Sequence, residues 1–289
     1  MGKLDGKVVL LTGSSPNING GIALGLAAEG AKLVCVDIQP DYAEACAEDV
    51  RKRGGQAIAV TCDVTKEDQV KAAIGHAREE LGGVDVLVNG AVIQIRKGIR
   101  EMAVEEFRRQ VDVILAGVFL FTKHTAELMI DQRRKGCIIN IISTEGHQGN
   151  PGNIGYGTCK SGLLNFTRAV AMELAEFGIR VNSLTPTGTD PAEGHARAAE
   201  WGVKWEIPGG GIRRAGYAEG DVGVPLGKRP SPRHYAKAAV FLASDDSEMI
   251  TGIRSPCRRR HYRSLLALEP RRRPNHRRVS HRRSRTPRS

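Results

Sequence analysis

Short, continuously apolar segments alternate along this chain with longer segments of helical pattern, and this alternation constrains the fold most. The apolar segments are rich in Val, Ile and Leu, which is typical of strands buried on both faces of a sheet. They occupy residues 8–12, 32–37, 57–63, 84–89, 137–143 and 179–185. Helical patterns of about 10–20 residues separate them, so the sequence predicts an α/β fold with a doubly wound parallel sheet. A ligand is expected at the carboxyl ends of its strands.

The predicted helices cover both faces of that sheet, which gives a Rossmann-like single domain with three layers, α/β/α. They lie at residues 22–29, 42–53, 67–81, 104–129, 156–177 and 232–242. Residues 188–231 interrupt the alternation with a Gly- and Pro-rich stretch that holds Trp201 and Trp205. Such an insertion is typical of a substrate lid, with a surface excursion or a subunit contact as the alternative. We predict one domain over residues 1–253, with the lid at 188–231.

Positive charge is confined to the end of the chain. The net charge is +11, but residues 254–289 hold 14 Arg and one acid and so account for +13. The preceding 253 residues carry −2, and nucleic acid is not an expected partner of this body. The tail has no Gly, Lys or Asp, a composition typical of a GC-rich gene read in a wrong frame. The alternative is an evolved basic arm for nucleic acid or an acidic surface, and either tail would be disordered.

Cysteine usage and hydropathy exclude several other classes. The six cysteines show no C-x-x-C pairing, and no His, Cys and Asp cluster has the spacing of a metal site. Neither a disulfide framework nor a metal is therefore predicted. The longest uncharged apolar run, residues 113–121, is too short to span a bilayer, and the polar start shows no secretory signal. We expect a soluble, cytoplasmic protein without a membrane partner.

A Gly-rich turn follows the first predicted strand in the stretch LLTGSSPNINGGIALGLAAEGA, residues 10–31. Backbone N–H groups of such a turn, and the positive end of the next helix, can bind a pyrophosphate. Asp37 ends the second predicted strand, 24 residues after Gly13, where a carboxylate can accept hydrogen bonds from both hydroxyls of an adenosine ribose. Its charge repels a 2′-phosphate and no Arg stands beside it, so NAD is predicted rather than NADP.

Tyr156 and Lys160 stand four residues apart at the start of a predicted helix and therefore share one face. An ammonium beside a phenol favours the phenolate, so we expect the pKa of Tyr156 to fall toward neutrality. Such pairs are common on helix surfaces, and this one gains meaning from Ser143, which ends a predicted strand thirteen residues earlier. The three residues together predict a catalytic set.

With these residues the chain resembles the short-chain dehydrogenase/reductase family over roughly residues 5–252. The matching pieces are Thr12-Gly13, Asp63-Val64, Asn89, the set of Ser143, Tyr156 and Lys160, Arg180 to Asn182, and AVFLASDDSEMITG at 239–252. The resemblance implies hydride transfer, in which a secondary alcohol and NAD become a ketone and NADH, or the reverse.

The resemblance also implies roles for individual residues. Tyr156 would exchange a proton with the substrate oxygen, Ser143 would hydrogen-bond that oxygen, and Lys160 would tune Tyr156 and hold the nicotinamide ribose. Asp63 and Val64 would bind adenine. The other implied cofactor contacts are Thr12, Gly13, Ser15, Asn17, Ile18, Asp37, Asn89, Gly90, Pro186, Gly188 and Thr189.

Two substitutions depart from the family pattern in ways that bear on activity. Counting back from residues 29–31 places Asn17 and Asn19 at the second and third glycine positions of the loop. An amide at position 19 must find room and hydrogen-bond partners, so we expect weaker NAD binding. Ile114 stands where the family carries an Asn that supports a water-linked proton path from the active-site Lys, so we expect slower proton exchange.

Three further departures concern the shape of the site and the assembly. Val92, in NGAV where the family reads NNAG-like, and Thr187, between Pro186 and Gly188, would alter the nicotinamide pocket. After Gly252 no strand pattern continues where the family forms its last strand. Because that strand borders a subunit contact in related enzymes, a homo-oligomer would be weakened.

Three functions from different classes follow. The leading one is an NAD-dependent oxidoreductase acting on a secondary alcohol or ketone, and the tryptophans of the lid favour an apolar, ring-shaped substrate. The second is a catalytically impaired NAD-binding or scaffold protein, which Ile114, Asn19 and the missing strand favour. The third is nucleic-acid binding through residues 254–289.

Overall fold

The computed structural model describes residues 2–207 and 228–256. Their strands form one sheet in the order β3-β2-β1-β4-β5-β6-β7, and every pair is parallel. The strands are β1 Val8–Thr12, β2 Lys32–Asp37, β3 Ala57–Thr61, β4 Val86–Asn89, β5 Cys137–Ile141, β6 Arg180–Thr185 and β7 Arg254–Pro256. The strand order reverses between β1 and β4, the place where doubly wound sheets bind ligands. The predicted doubly wound parallel sheet is confirmed.

Helices cover both faces of the sheet and complete the predicted α/β/α layers. They are α1 Ile18–Ala28, α2 Pro40–Lys52, α3 Glu67–Leu81, α4 Val104–Val111, α5 Gly117–Asp131, α6 Ile154–Leu174, α7 Ala192–Glu200 and α8 Pro232–Ala243. Val9 and Leu11 of β1 pack in a core with α1, α2 and α8, whereas Val8 and Leu10 pack in a second core with α3, α5 and α6. Each face of the sheet therefore has its own apolar core.

Two strands end earlier than the sequence pattern predicts, β3 at Thr61 and β5 at Ile141. The next residues leave the sheet for loops at its carboxyl edge. The Asp63 carboxylate accepts hydrogen bonds from the backbone and hydroxyl of Thr65, at 2.9 and 2.8 Å. Ser143 caps a 3₁₀ turn. The site loops thus gain polar side chains that the strand pattern assigned to the sheet.

α1 begins at Ile18, four residues before the predicted start of residues 22–29. Gly20 and Gly21 lie inside its first turns instead of forming a loop. A side chain at Gly21 would overlap Pro232 at the start of α8, so this glycine serves the close packing of the two helices.

The predicted helix at 104–129 consists of two α-helices joined by a π-helical turn. α4 ends at Val111, the π-turn spans Asp112–Ala116, and α5 begins at Gly117. Single π-turns inside helices are frequent at functional sites. Ile114 lies fully buried in the middle of this turn.

Within the described residues, one stretch, Val104–Asp131, is long and apolar enough to cross a membrane. Half of its apolar window is buried inside the protein. Phe121 and Met129 pack in the core beneath the sheet. Core helices of globular domains pass the same test of length and composition, so the stretch is weak support for a membrane span.

The expectation that no strand follows Gly252 is wrong. β7 pairs in parallel with β6, Ser183 standing opposite Arg254. The Asn182 amide prepares this pairing, because it donates to the Ile250 carbonyl at 2.8 Å and accepts from the Ile253 N–H at 3.2 Å. Strand pairing is a backbone interaction, so it forms here without an apolar sequence pattern. The sheet therefore extends three residues past the predicted boundary at 253.

Parts of two predicted segments lie outside the described residues. Of the predicted lid at 188–231, the structure describes α7 and the residues on either side of the gap, whereas 208–227 lie outside. Of the predicted basic tail, residues 257–289 lie outside, including Cys257. The other five cysteines are buried free thiols.

Candidate active site

The carboxyl ends of β4, β5 and β6 open into a cavity of about 240 Å³. Ser143, Tyr156 and Lys160 all line it. Its remaining lining residues are Ser15, Asn17, Ile18, Asn19, Gly90, Val92, Gln94, Arg96, Ile141, Ile142, Pro186, Thr187, Thr189, Pro191, Trp205 and Ile207. The structure therefore brings the three predicted catalytic residues together at the predicted edge of the sheet.

Lys160 is a buried lysine that pairs with no carboxylate of the described residues. Its ammonium donates a hydrogen bond of 2.5 Å to the Ile141 carbonyl and lies 5.7 Å from the centroid of the Tyr156 ring. Burial lowers the pKa of Lys160 to about 8, because desolvation disfavours the charged form. The lysine is therefore close to losing its proton under mildly alkaline conditions.

Tyr156 does not have the lowered pKa that the Tyr/Lys spacing led us to expect. Burial raises its pKa to about 12, and the hydrogen bond with Ser143 opposes that shift only in part. The nearby charge of Glu145 raises this pKa further, whereas that of Arg96 lowers it. Lys160 lies against the face of the ring and donates to a carbonyl, not to the phenol oxygen. The phenol is thus a proton donor in the free protein.

Ser143 is held in position by the turn that follows it. Its hydroxyl oxygen accepts a hydrogen bond from the Glu145 N–H at 3.1 Å, and the side chain is almost fully buried. The Glu145 carboxylate in turn accepts from the amides of Asn150 and Asn153. These contacts fix the serine hydroxyl beside Tyr156.

Ile114 packs in a small apolar cluster next to this site, together with Ile142, Cys159 and Leu163. An aliphatic side chain there offers no hydrogen bond to a water, in contrast to the Asn that the family pattern carries. Slower proton exchange stays a prediction that rests on the apolar character of this position.

The start of α1 forms the other side of the cavity. Ser15, Asn17 and Ile18 line it, with Asn17 at the N-cap position of the helix. The cap makes no side-chain hydrogen bond, and the first turn has no acidic residue. The positive end of the helix is therefore not neutralised within the protein, which fits a bound diphosphate such as that of a dinucleotide.

The Asn19 side chain fits into the fold, and its amide nitrogen has two hydrogen-bond partners. Its amide nitrogen donates to the carbonyls of Gly13 and Gly90, at 2.7 and 3.0 Å. A side chain at position 90 would overlap that amide. The family pattern has Gly at position 19 and Asn at position 90, whereas this chain has Asn at 19 and Gly at 90. The Asn19 side chain thus occupies space that a side chain at position 90 would need. The amide oxygen of Asn19 remains buried without a partner.

Asp37, Asp63 and Val64 lie at the ends of β2 and β3, away from the cavity around Tyr156. Burial raises the pKa of Asp37 to about 6, and the carboxylate accepts a hydrogen bond of 2.9 Å from the Gln39 N–H. The strand ends share one edge of the sheet, so a ligand extended along that edge could reach both regions.

Thr12 and Asn89 turn their side chains into the fold. The Thr12 hydroxyl accepts from the Gly90 N–H at 3.1 Å and so joins the ends of β1 and β4. The Asn89 amide donates to Thr122 and Asn140, at 3.1 and 2.9 Å. Neither residue lines the cavity, and nor do Gly13 and Gly188, whereas Pro186 and Thr189 do. The hydrogen bonds of Thr12 and Asn89 hold the strand ends from which the lining loops begin.

α7 packs on the Gly-rich loop through a buried arginine that the sequence analysis did not single out. Arg197 donates to the carbonyls of Pro16 and Asn17, at 2.6 and 3.3 Å, and pairs with Glu193 at 2.8 Å. Nothing in the sequence near Arg197 indicates this contact, because it joins segments 180 residues apart. The arginine positions the loop.

The two tryptophans of the predicted lid have different environments. Trp201 donates to the Asp49 carboxylate at 2.9 Å and packs against the core, outside the cavity. Trp205 lines the cavity and stacks edge-on against His195, with ring centroids 4.9 Å apart. Of the two, Trp205 alone is placed to contact a substrate.

Arg96 and Gln94 are the polar lining residues that the sequence analysis missed. Both follow β4 in a loop without a regular pattern, so neither periodicity nor a motif marks them. Gln94 donates to the Asn153 side chain at 3.1 Å. They bring an amide and a guanidinium into a cavity that is otherwise lined in part by apolar side chains such as Val92 and Ile207.

Comparison with known proteins agrees with this geometry. A family model described as short chain dehydrogenase matches residues 7–201. The galactitol 2-dehydrogenase of Agrobacterium fabrum is 35% identical over 248 residues, which cover 86% of this chain and 94% of that protein. The 3-oxoacyl-(acyl-carrier-protein) reductase of a Synechocystis strain is 40% identical over 187 residues, 64% of this chain and 75% of that protein. A crystal structure of an NAD+-bound xylitol dehydrogenase matches with a TM-score of 0.76 at 29% identity, covering 88% of this chain and 98% of that one. The chain belongs to the short-chain dehydrogenase family.

Proposed function

We propose that this protein is an NAD(H)-dependent oxidoreductase that interconverts a secondary alcohol and a ketone at Ser143, Tyr156 and Lys160. The observation that carries the proposal is the convergence of these side chains on one cavity, opposite the start of α1. The galactitol 2-dehydrogenase and the xylitol dehydrogenase among the matches act on polyols by name, which supports a secondary alcohol.

The chain's own residues would carry the proton part of the reaction. In the reductive direction, the Tyr156 hydroxyl donates its proton to the carbonyl oxygen while Ser143 hydrogen-bonds that oxygen. Lys160 stabilises the resulting phenolate, because its ammonium lies against the ring. NAD(H), when bound, supplies the ring that gives or accepts the hydride. The start of α1 and Asp37 would hold the cofactor.

Asp37 supports NAD over NADP in this proposal. A carboxylate with a pKa of about 6 is mostly ionised at pH 7 and repels a 2′-phosphate. Its nearest sequence neighbours, from Val36 to Tyr42, include no cation that could compensate. We therefore propose NAD as the cofactor.

The lining of the cavity is mixed, and we propose that its amide, guanidinium and hydroxyl groups bind oxygen atoms of the substrate, which the purely apolar ring expected from the sequence would lack. Gln94, Arg96 and Thr187 face a space in which Trp205 is the one aromatic side chain besides Tyr156, among the described residues. The apolar substrate was expected because both tryptophans were predicted to face it. Trp201 packs outside the cavity, so only Trp205 still supports that expectation.

The experiment replaces Tyr156 by Phe and follows NADH formation by its absorbance, with NAD and a panel of neutral and anionic secondary alcohols that includes polyols. Removing the hydroxyl should lower kcat by at least about 100-fold, since general acid–base catalysis contributes about 10²–10⁴-fold. Tyr42→Phe is the matched control, because Tyr42 hydrogen-bonds the Lys204 carbonyl outside the cavity. Equal turnover by Tyr156→Phe and the natural protein would refute the proposal.

A second candidate, an NAD-binding protein with little catalytic activity, is favoured by the burial of Ile114. It predicts NADH binding, seen as enhanced nicotinamide fluorescence, without turnover of any substrate in the panel. Turnover that Ile114→Asn restores would show that the substitution, and not the fold, limits the activity.

A further inference from the structure

Arg96 is a cation on the cavity wall whose side chain has no hydrogen-bond or ion-pair partner among residues 2–207 and 228–256. Its Nε is buried and has no hydrogen bond, and Arg96 forms no ion pair with any described residue. Burying a guanidinium nitrogen without a hydrogen bond destabilises the protein, because the nitrogen loses its contact with water and gains no other acceptor. Such a group is stabilised by an oxygen ligand that enters the cavity.

The charge of the cavity wall is one-sided. Arg96 and Lys160 line it, and no Asp or Glu among the described residues does. Lys160 donates to the Ile141 carbonyl and lies against the Tyr156 ring, whereas Arg96 makes no such contact with the described residues. Glu145 lies near Tyr156, but its carboxylate accepts from two asparagine amides and does not line the cavity.

A further donor atom lies in the same cavity. The Thr187 hydroxyl is buried without a hydrogen-bond partner, and Thr187 follows β6, on the side of the cavity where Pro186 and Thr189 also lie. The cavity thus presents donors that the protein itself does not satisfy. A ligand rich in acceptor oxygens would satisfy both Thr187 and Arg96.

We propose that Arg96 binds an anionic group of the substrate, so that the substrate is a short hydroxy acid, or its keto form, and not a neutral polyol. A guanidinium holds a carboxylate through two parallel hydrogen bonds, which also orients the molecule. Arg96 and Tyr156 line the same cavity of about 240 Å³, so a short substrate would contact both of them. This inference rests on the proposed function, because it names the substrate of the same site.

The test compares matched substrates and matched variants. Aldonic acids of roughly four to six carbons are compared with alditols of the same length and with alditols that carry a terminal phosphate. Arg96→Gln removes the charge but keeps hydrogen-bonding capacity. Lys97→Gln is the control, because Lys97 pairs with Glu106 and does not line the cavity.

The natural protein should prefer the acids in kcat/KM. Arg96→Gln should lower kcat/KM for the acids about 10- to 100-fold, mainly through KM, and should change it less than about three-fold for the alditols. Lys97→Gln should leave both unchanged. Equal losses for acids and alditols, or a natural preference for alditols, would overturn the inference. A preference for the phosphates would retain the anion site and assign it to a phosphate group.

A binding measurement separates this inference from the proposed function. The rise in Tm on adding each acid is measured with NADH and without any cofactor. Neither condition supplies NAD, so the acid is not oxidised during the measurement. Stabilisation of the natural protein but not of Arg96→Gln supports the anion site even if no substrate is turned over. Loss of NADH affinity in Arg96→Gln would instead assign Arg96 to the cofactor phosphates and contradict the proposal.

Discussion

The two sides of the cavity differ in how they relate to the family pattern. On the substrate side, the part of the cavity around Tyr156, the residues Ser143, Tyr156 and Lys160 match the pattern, although Ile114 packed behind them departs from it. On the cofactor side, Asn19 and Gly90 depart from it, and the departures compensate each other in space. Proton transfer needs particular side-chain atoms, whereas diphosphate binding uses backbone N–H groups and a helix end. Side chains on the cofactor side can therefore change, provided that the backbone keeps its shape.

The largest effect is expected on the substrate side, from Lys160→Met. This change removes a buried ammonium that lies against the Tyr156 ring, and kcat should fall about 10²–10⁴-fold. Steady-state kinetics measure it, with Lys97→Met as the control. A variant that keeps more than half of the natural kcat would show that the lysine takes no part in the chemistry.

The next effect concerns the exchange between positions 19 and 90. Gly90→Asn places a side chain against the Asn19 amide and should destabilise the protein by about 1–3 kcal/mol. Asn19→Gly removes two hydrogen bonds and should cost about 1–3 kcal/mol. The double variant should be more stable than the sum of the two predicts, by about 1 kcal/mol or more. Urea unfolding measures all four proteins, and simple additivity would disprove the compensation.

A smaller gain is expected from Ile114→Asn. The amide would give a water next to Lys160 a hydrogen-bond partner, and kcat should rise about tenfold or less, within the range of acid–base effects. The effect should be larger in kcat than in KM, since Ile114 packs behind the lining residues. Ile114→Leu, which stays apolar, is the control. No change in kcat with Asn would show that proton exchange does not limit turnover.

The smallest effect is a pH dependence of cofactor choice. Asp37, with a pKa of about 6, is charged above that pH and repels a 2′-phosphate, and it becomes neutral below it. The ratio of kcat/KM for NAD to that for NADP should therefore fall several-fold, about 3- to 10-fold, between pH 7.5 and pH 5.5. Asp37→Asn should lower this ratio and remove its pH dependence. A ratio that stays constant in the natural protein would exclude this role of Asp37.

The regular part of the fold followed from the sequence because its physical cause is local. The apolar runs at 8–12 and 32–37 became strands over the same residues, and the helix at 67–81 has the bounds that its pattern predicts. The start of α1 at Ile18 did not follow, because the apolar pattern of the helix begins only at Ile22. Gly20 and Gly21 in its first turns allow close packing against neighbouring chain segments, which the sequence does not display.

The site was predictable to the extent that it follows a spaced motif. The spacing of Ser143, Tyr156 and Lys160 led to the cavity. Arg96 carries no such pattern, and its unpaired Nε becomes visible only once the loop is placed beside Tyr156. The high pKa of Tyr156 likewise depends on burial, a property of the folded molecule and not of the pair.

Isotope transfer tests the central claim most directly. A substrate with deuterium on its carbinol carbon is incubated with NAD and the protein, and the cofactor product is analysed by mass spectrometry. Direct hydride transfer at this site predicts NADH that carries the deuterium, formed at similar rates by the natural protein and by Tyr42→Phe but at least about 100-fold more slowly by Tyr156→Phe. Unlabelled NADH, or labelled NADH formed equally well without the Tyr156 hydroxyl, would contradict the account.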